Sequence, residues 1–237
     1  MAAIGAGALT AAIRLPRGTT VRLFLLGIIV GLGLPRTSHA AQQFSADLVD
    51  TSVGTRLAQT LGKIYVSGSK VRIELPDFPG GLFLLDGDAH TAYFVKPAQR
   101  IVMDAKQSTW LTQILVPLDP DAPCKQWQAM AEIAGAADRG RQWRCNRIGS
   151  ESAHGRNTIR YRAISPEVAA SDCWLDPQLG FVVSVHRDDG ATIDLENVRE
   201  GPPPAGLFEI PADFRTFDPR QLINRIKHSD VWVEPPR

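Results

Sequence analysis

Between Leu61 and Asp104 the chain has little choice of fold, because almost every residue there belongs to a strand or to the turn that follows it. Ile64 and Val66 alternate with Lys63, Tyr65 and Ser67. Gly68-Ser69 reverses the chain into Lys70-Val71-Arg72-Ile73-Glu74-Leu75, where apolar and charged residues alternate without a break. Successive side chains of a strand point to opposite faces, so a period of two means one face buried and one in water. Pro76, Pro79, Gly80 and Gly81 end that strand, and Leu82 to Leu85 is the next. Asp86-Gly87-Asp88 turns it into Thr91 to Val95, and Lys96-Pro97 turns again into Arg100 to Asp104. The segment predicts an antiparallel meander with turns at hairpin spacing. It holds no catalytic signature.

The flanking chain repeats the pattern around a helical interruption. Phe44 to Asp50 alternates as a first strand, and Thr51 to Thr60 is a polar connection. After Asp104 the period changes. Trp110, Leu111, Ile114 and Leu115 fall at helical spacing behind Ser108, a suitable N-cap, until Pro117 and Pro120 stop them. A second helix starting near Asp121 or Ala122 aligns Trp127, Met130, Ile133 and Ala134 on one stripe, and Gly135 to Gly140 ends it. Strands resume over residues 142–148, 157–164, 171–176, 181–187 and 191–198, with His154-Gly155 and Asp188-Asp189-Gly190 as turns. Gly201 to Pro204 is a stiff connector, and Leu207 to Ile210 reads as the last full strand. Asp218-Pro219 reads as an N-cap and first residue of a short helix bearing Leu222, Ile223 and Ile226, and Val231 to Val233 as an edge strand.

The amino terminus reads as an export signal. Arg14, Arg17 and Arg22 precede an apolar run from Leu23 to Leu34, and Ser38-His39-Ala40 supplies small residues before a cut ahead of Ala41. The run is shorter than the roughly 20 residues that span a bilayer, which predicts cleavage and no permanent membrane anchor. Residues 1–40 hold four arginines and no acid, so their loss moves the formal charge from +1 to −3. The arginines between Arg141 and Arg162 alternate with Trp143, Cys145, Ile159 and Tyr161, as the wet side of strands does, so no nucleic-acid partner is expected. An exported chain oxidises its cysteines. Cys124 lies at a helix start and Cys145 in the strand that follows, which predicts a bridge between them worth roughly 3 kcal/mol. Cys173, the odd one, reads as a small buried apolar group.

Catalytic constellations are weighed and set aside. Asp86, Asp88 and Asp188-Asp189 flank glycines, the chemistry of hairpin turns rather than of acid–base pairs. His90, His154, His186 and His228 are scattered and none has metal-ligand spacing, no serine stands in a nucleophile elbow, and no glycine run could cradle phosphate. Neither an enzyme nor a cofactor is expected. What remains is the apolar signal of the helices, Trp110, Trp127 and Met130, which either fill the core or cover a cavity.

A long sheet with one buried face needs a cover. These elements predict an α+β class, mostly antiparallel β, in which a strongly curved half-open β-barrel has short helices across its concave face. In its turns the chain resembles the bacterial periplasmic lipoprotein-carrier superfamily, whose relatives include the outer-membrane lipoprotein receptor and periplasmic sensor domains. The residues that carry the resemblance are Gly62 with the hairpin to Arg72, Pro76, Leu84-Leu85-Asp86-Gly87, Tyr93, Val95 and Pro97. Asp189-Gly190-Ala191-Thr192-Ile193 and Phe208-Glu209-Ile210-Pro211 fit the closing strands of that superfamily. The likeness covers most of Phe44 to Phe214, within one domain over residues 41–237, and leaves 215–237 outside it. Ser67-Gly68 stands where the carrier has an arginine that holds its lid closed, so no functional residue carries over.

The resemblance implies a periplasmic protein of outer-membrane biogenesis. It would hold acyl chains of a lipid or lipoprotein in an apolar cavity, without catalysis. The candidate lining residues are Ile64, Ile73, Phe94, Met103 and Tyr161 from the sheet and Trp110, Ile114, Trp127 and Met130 from the helices. The alternative is an envelope interaction or sensor module whose helices fill the barrel and whose partner is a protein.

Overall fold

The computed structural model describes residues 42–52, 59–75, 80–105, 109–133, 142–165 and 169–218, together with residue 221. The export signal and its cut, Pro76 and Pro79, the cap at Ser108, the end of the second helix past Ile133, the helix bearing Leu222 and the strand at Val231 lie outside the described residues.

The first meander is β1 (Gln43–Asp50), β2 (Gln59–Ser67), β3 (Lys70–Glu74), β4 (Leu82–Asp86), β5 (Thr91–Lys96) and β6 (Ile101–Asp104). Each strand is antiparallel to the one before it. Two helices follow, the single turn α1 (Leu111–Ile114) and the longer α2 (Pro123–Ile133). A second meander runs through β7 (Arg144–Ala153), β8 (Arg156–Ile164), β9 (Ser171–Asp176), β10 (Phe181–Arg187) and β11 (Thr192–Glu200). β11 then pairs with β1, joining the two meanders. A two-residue strand, β12 (Arg215–Thr216), lies parallel to β6. The order across the sheet is β12-β6-β5-β4-β3-β2-β1-β11-β10-β9-β8-β7. The sheet is open, with β12 and β7 as its edges.

The helices carry the chain from β6 to β7, almost the full width of the sheet, and they cross one face only. Ile114, Leu115, Trp127 and Met130 belong to the same buried cluster as Phe44, Ile64, Ile73, Leu175 and Phe181. Bulges bend strands, and extra residues interrupt the β1–β2, β1–β11, β9–β10 and β7–β8 ladders. At the first of these, Gly62 must be glycine: a Cβ there would lie 1.8 Å from the Glu74 carbonyl oxygen, where β3 folds against β2. The predicted disulfide is present between Cys124 of α2 and Cys145 of β7, with Cα atoms 5.7 Å apart. Cys173 is free and fully buried.

Two features depart from the pattern read along the chain. Leu207 to Ile210 is not a strand. Residues 205–208 form a 3-10 turn, and a second turn, closed by the Phe214 amide on the Pro211 carbonyl at 3.1 Å, leads into β12. Both neighbours of β11 are already taken by β1 and β10, and Pro203, Pro204 and Pro211 lack the N–H a ladder needs. The segment instead crosses the outer face. Leu82 and Leu84 of β4 point outward and pack with Val95, Val102, Ile210 and Phe214, so β4 is buried on both sides. Arg72 donates to the Leu207 carbonyl at 2.9 Å, which fixes the crossing.

The second departure is the tip of the β7–β8 hairpin. Only Ile159 to Ala163 of β8 pair with β9, which frees Arg156 to Thr158 to leave the line of the sheet. His154 reaches Asp194 at 2.9 Å, on the outer side of β11, where Ile193 and Leu195 point inward. Arg156 contacts Asp176 and also bonds Glu200 at 2.7 Å.

Candidate functional site: the interior beneath the helices

The sheet positions the candidate lining residues through register alone. Ala46 faces Ile64, Ile64 faces Ile73, Ile73 faces Phe83, Phe83 faces Phe94, and Phe94 faces Met103. Direct partners share a face, so this is one apolar row across six strands. Phe83 and Phe94 stack within it, their ring centroids 5.1 Å apart. In the other half, Tyr161, Cys173, Val185 and Ile193 form a second row.

The helical layer lies on these rows. Ile64, Ile73 and Trp127 have no exposed surface, Ile114 has 1% and Met130 2%. Tyr161 is buried in the same cluster, and Phe94 and Trp110 are half-buried against it. Met103 is the exception: it stands opposite Phe94, half-buried, and outside the cluster.

Hydrogen bonds pin the layer at several points. Gln126 donates to the Gly87 carbonyl at 2.9 Å, Tyr161 donates its hydroxyl to the Pro120 carbonyl at 2.8 Å, and the Leu118 amide bonds the Gly180 carbonyl at 2.7 Å. Trp127 donates its indole N–H to the Ile114 carbonyl at 3.2 Å, and its ring lies 5.5 Å from that of Trp143. The Arg187 guanidinium sits 4.6 Å from the centre of the Trp110 ring. Cys124–Cys145 adds a covalent tie.

Electrostatically the interior is quiet. Burial raises the Tyr161 hydroxyl above its ordinary value, and the Cys173 thiol is pushed far up by the same cause, so it is not a nucleophile. The paired aspartates do turn work. Asp86 accepts from the Ser69 hydroxyl and from the amides of Asp88 and Ala89, and Asp189 accepts from the Ala191 amide. Among the described residues no three His, Cys, Asp or Glu side chains are grouped to hold a metal ion, and no helix is long and apolar enough to cross a membrane.

Two clefts open elsewhere. One of about 670 Å³ lies at the β2–β3 bend, bordered by Gly62, Lys63, Arg72, Leu75, Leu82 and Pro97. One of about 400 Å³ is bordered by Gln42, Ser69, Gly87, Asp119 and Gln126. None of the candidate lining residues borders either. Sequence reasoning missed both clefts, since they form where separate chain reversals meet and no local pattern carries that juxtaposition.

No protein-family model matches the chain. No curated protein matches it at a significant level. Solved structures do resemble it. An uncharacterized conserved protein from Thermus thermophilus aligns at 10% identity with a TM-score of 0.42, over 76% of this chain and 91% of its own. The MucA/MucB complex of Pseudomonas aeruginosa aligns at 13% identity with a TM-score of 0.39, over 73% of this chain and 57% of the matched one. A putative outer membrane lipoprotein-sorting protein domain from Vibrio parahaemolyticus aligns at 11% identity with a TM-score of 0.31, over 71% and 90%. The neighbours thus include a lipoprotein-sorting domain. All three TM-scores are under 0.5, and at such identities the likenesses say nothing of what this chain binds.

Proposed function

We propose that this chain is a non-enzymatic binding protein of the periplasm whose interior is filled by its own helices and whose partner is a protein met at its surface. The observation that carries this reading is the absence of any exposed surface on Ile64, Ile73 and Trp127. A residue with none touches no void large enough for water, so the place where an acyl chain would lie is occupied by side chains. Each methylene moved from water into an apolar site gains about 0.8 kcal/mol, but a chain entering here would displace contacts already buried. Entry would also break the three bonds that pin the layer to the sheet, at about 0.5–1.5 kcal/mol each. The arginines of β8 support a protein partner over nucleic acid, since Arg156, Arg160 and Arg162 are each paired with carboxylates.

The acyl-chain reading, put first from the sequence, becomes the second one and is kept on one observation. Leu61, Leu75, Phe94 and Trp110 are only half-buried at the margin of the core, and a lipid chain could lie along them. A titration with a fluorescent fatty acid, with mass spectrometry of organic extracts from envelope-purified protein, separates the two. The expected result is no saturable uptake and no co-purified lipid. Saturable uptake by the wild type would reverse the order of the readings. The compartment is tested by N-terminal sequencing of exported protein, which should begin at or near Ala41. A chain that keeps Met1 in the membrane fraction would overturn that part.

A further inference from the structure

The two edges of the sheet are treated differently. At β6 the chain covers its own edge: the Arg215 amide bonds the Arg100 carbonyl and the Phe217 amide bonds the Val102 carbonyl. At β7, ten residues long, no described strand pairs on the outer side, and most of its residues are exposed. We propose that this edge, from Arg144 to Ala153, is the docking surface for an extended acidic segment of a partner protein, added to the sheet as a further strand. The proposal rests on the protein-partner reading above and gives that partner a surface and a chemistry.

Four observations support it. An unpaired edge offers a row of backbone donors and acceptors, and strand addition uses that row for affinity and the flanking side chains for specificity. Those side chains are basic. Arg144 and Arg147 have no carboxylate within ion-pair distance among the described residues, and Arg147 makes only a 3.4 Å contact to the Ser150 hydroxyl. Arg144 pairs with Ile164 and Arg147 with Tyr161, so the two arginines flank the edge from opposite faces. Between them and the turn stands Ile148, bulged out of the ladder and 58% exposed, a large apolar side chain left in water. The Cys124–Cys145 bond then fixes the strand to α2, so little ordering is left for a partner to impose.

The sign of the charge selects the occupant. A second copy of β7 would bring the same two arginines, and its one acid, Glu151, already accepts from the Trp174 indole at 2.6 Å and lies 3.6 Å from Arg160. The complementary acids must therefore come from another chain.

The test uses the disulfide-intact exported protein and three labelled ten-residue peptides. One is built of Glu, Thr and Val, one has Lys for every Glu, and one is the acidic peptide with alternate backbone nitrogens methylated. Fluorescence anisotropy should show saturable binding of the first alone. The Arg144→Glu/Arg147→Glu double variant, checked for an unchanged melting temperature, should bind it at least about tenfold more weakly. Hydrogen exchange should slow at amides of Arg144 to Ala153 when that peptide is present. Equal binding of the methylated peptide would reduce the effect to charge adsorption and overturn the proposal, as would no binding of the acidic one. Concentration-dependent dimerisation lost in Arg147→Glu would overturn it in favour of a second copy. Failure of the peptide with no fatty-acid uptake removes only the edge assignment, while fatty-acid uptake removes the underlying reading as well.

Discussion

The two halves of the sheet share one interior and cover their outer faces by opposite means. Over β3 to β6 the cover is the tail, and the contacts are apolar: Leu82, Leu84, Val95 and Val102 against Ile210 and Phe214. Over β9 to β11 the cover is the hairpin tip, and the contacts are polar: His154 with Asp194, Arg156 with Asp176 and Glu200, Trp174 with Glu151. Apolar burial is non-directional and indifferent to protonation, so the tail gains stability from area alone. Charged hydrogen bonds demand geometry, so the tip is placed more exactingly than it is stabilised. The contrast predicts that the halves will fail differently.

The largest expected effect lies under the tail. Leu84→Ala removes a side chain buried at the centre of the apolar cover, and it should cost about 3 kcal/mol in urea-midpoint measurements. The loss should be the same at low and high salt. A cost that shrinks with salt would mean that the tail, too, is held by charge, and the contrast would fail.

Next is the pair beneath the tip. Asp176 is buried, with 2% of its side chain exposed, and besides Arg156 it accepts from the amides of Gln178 and Leu179. Arg156→Met strands that carboxylate and should cost about 2 kcal/mol, less than a fully enclosed pair because Arg156 itself is partly in water. Adding Asp176→Asn to Arg156→Met should recover part of the loss. If the single variant costs only a few tenths of a kcal/mol, as surface pairs do, the polar cover contributes nothing specific.

These covers were also where sequence reading stopped. The inner face was legible because a period of two announces it, and the turn chemistry at Gly68-Ser69, Asp86-Gly87 and His154-Gly155 set the strand order. The Cys124–Cys145 bond was legible from the order of helix and strand. The same period hid the outer cover, because alternation says only that the second face is wet. The one local sign was Leu82-Phe83-Leu84-Leu85, four apolar residues in a row, which alternation cannot explain and burial on both faces does. The tail was misread at Leu207 to Ile210 because its apolar residues suit an outer face as well as a strand. The hairpin tip had no local signal at all, since His154 and Asp194 are 40 residues apart. Ile64, Ile73, Phe94 and Met103 share one row in the register, yet whether that row encloses space depends on the helices above it, and helical periodicity does not report volume.

The smallest effect concerns a turn in the apolar-covered half where protonation should matter. Asp86 holds the β4–β5 turn through the Ser69 hydroxyl at 3.0 Å and the amides of Asp88 and Ala89 at 3.0 and 3.1 Å. Burial pushes its carboxyl upward, but the Ala89 amide, the Ser69 hydroxyl and the Asp88 amide outweigh it, and the net value lies below the ordinary 3.8. A carboxylate lowered on folding stabilises the fold above its unfolded value, and that contribution is lost as the pH falls through the folded value. Asp86→Asn keeps the shape and removes the charge, so it should cost about 1 kcal/mol at neutral pH and progressively less below about pH 4. Urea midpoints of both proteins from neutral pH down into strong acid should therefore converge. Curves that stay parallel would show that the turn is held by shape rather than by charge.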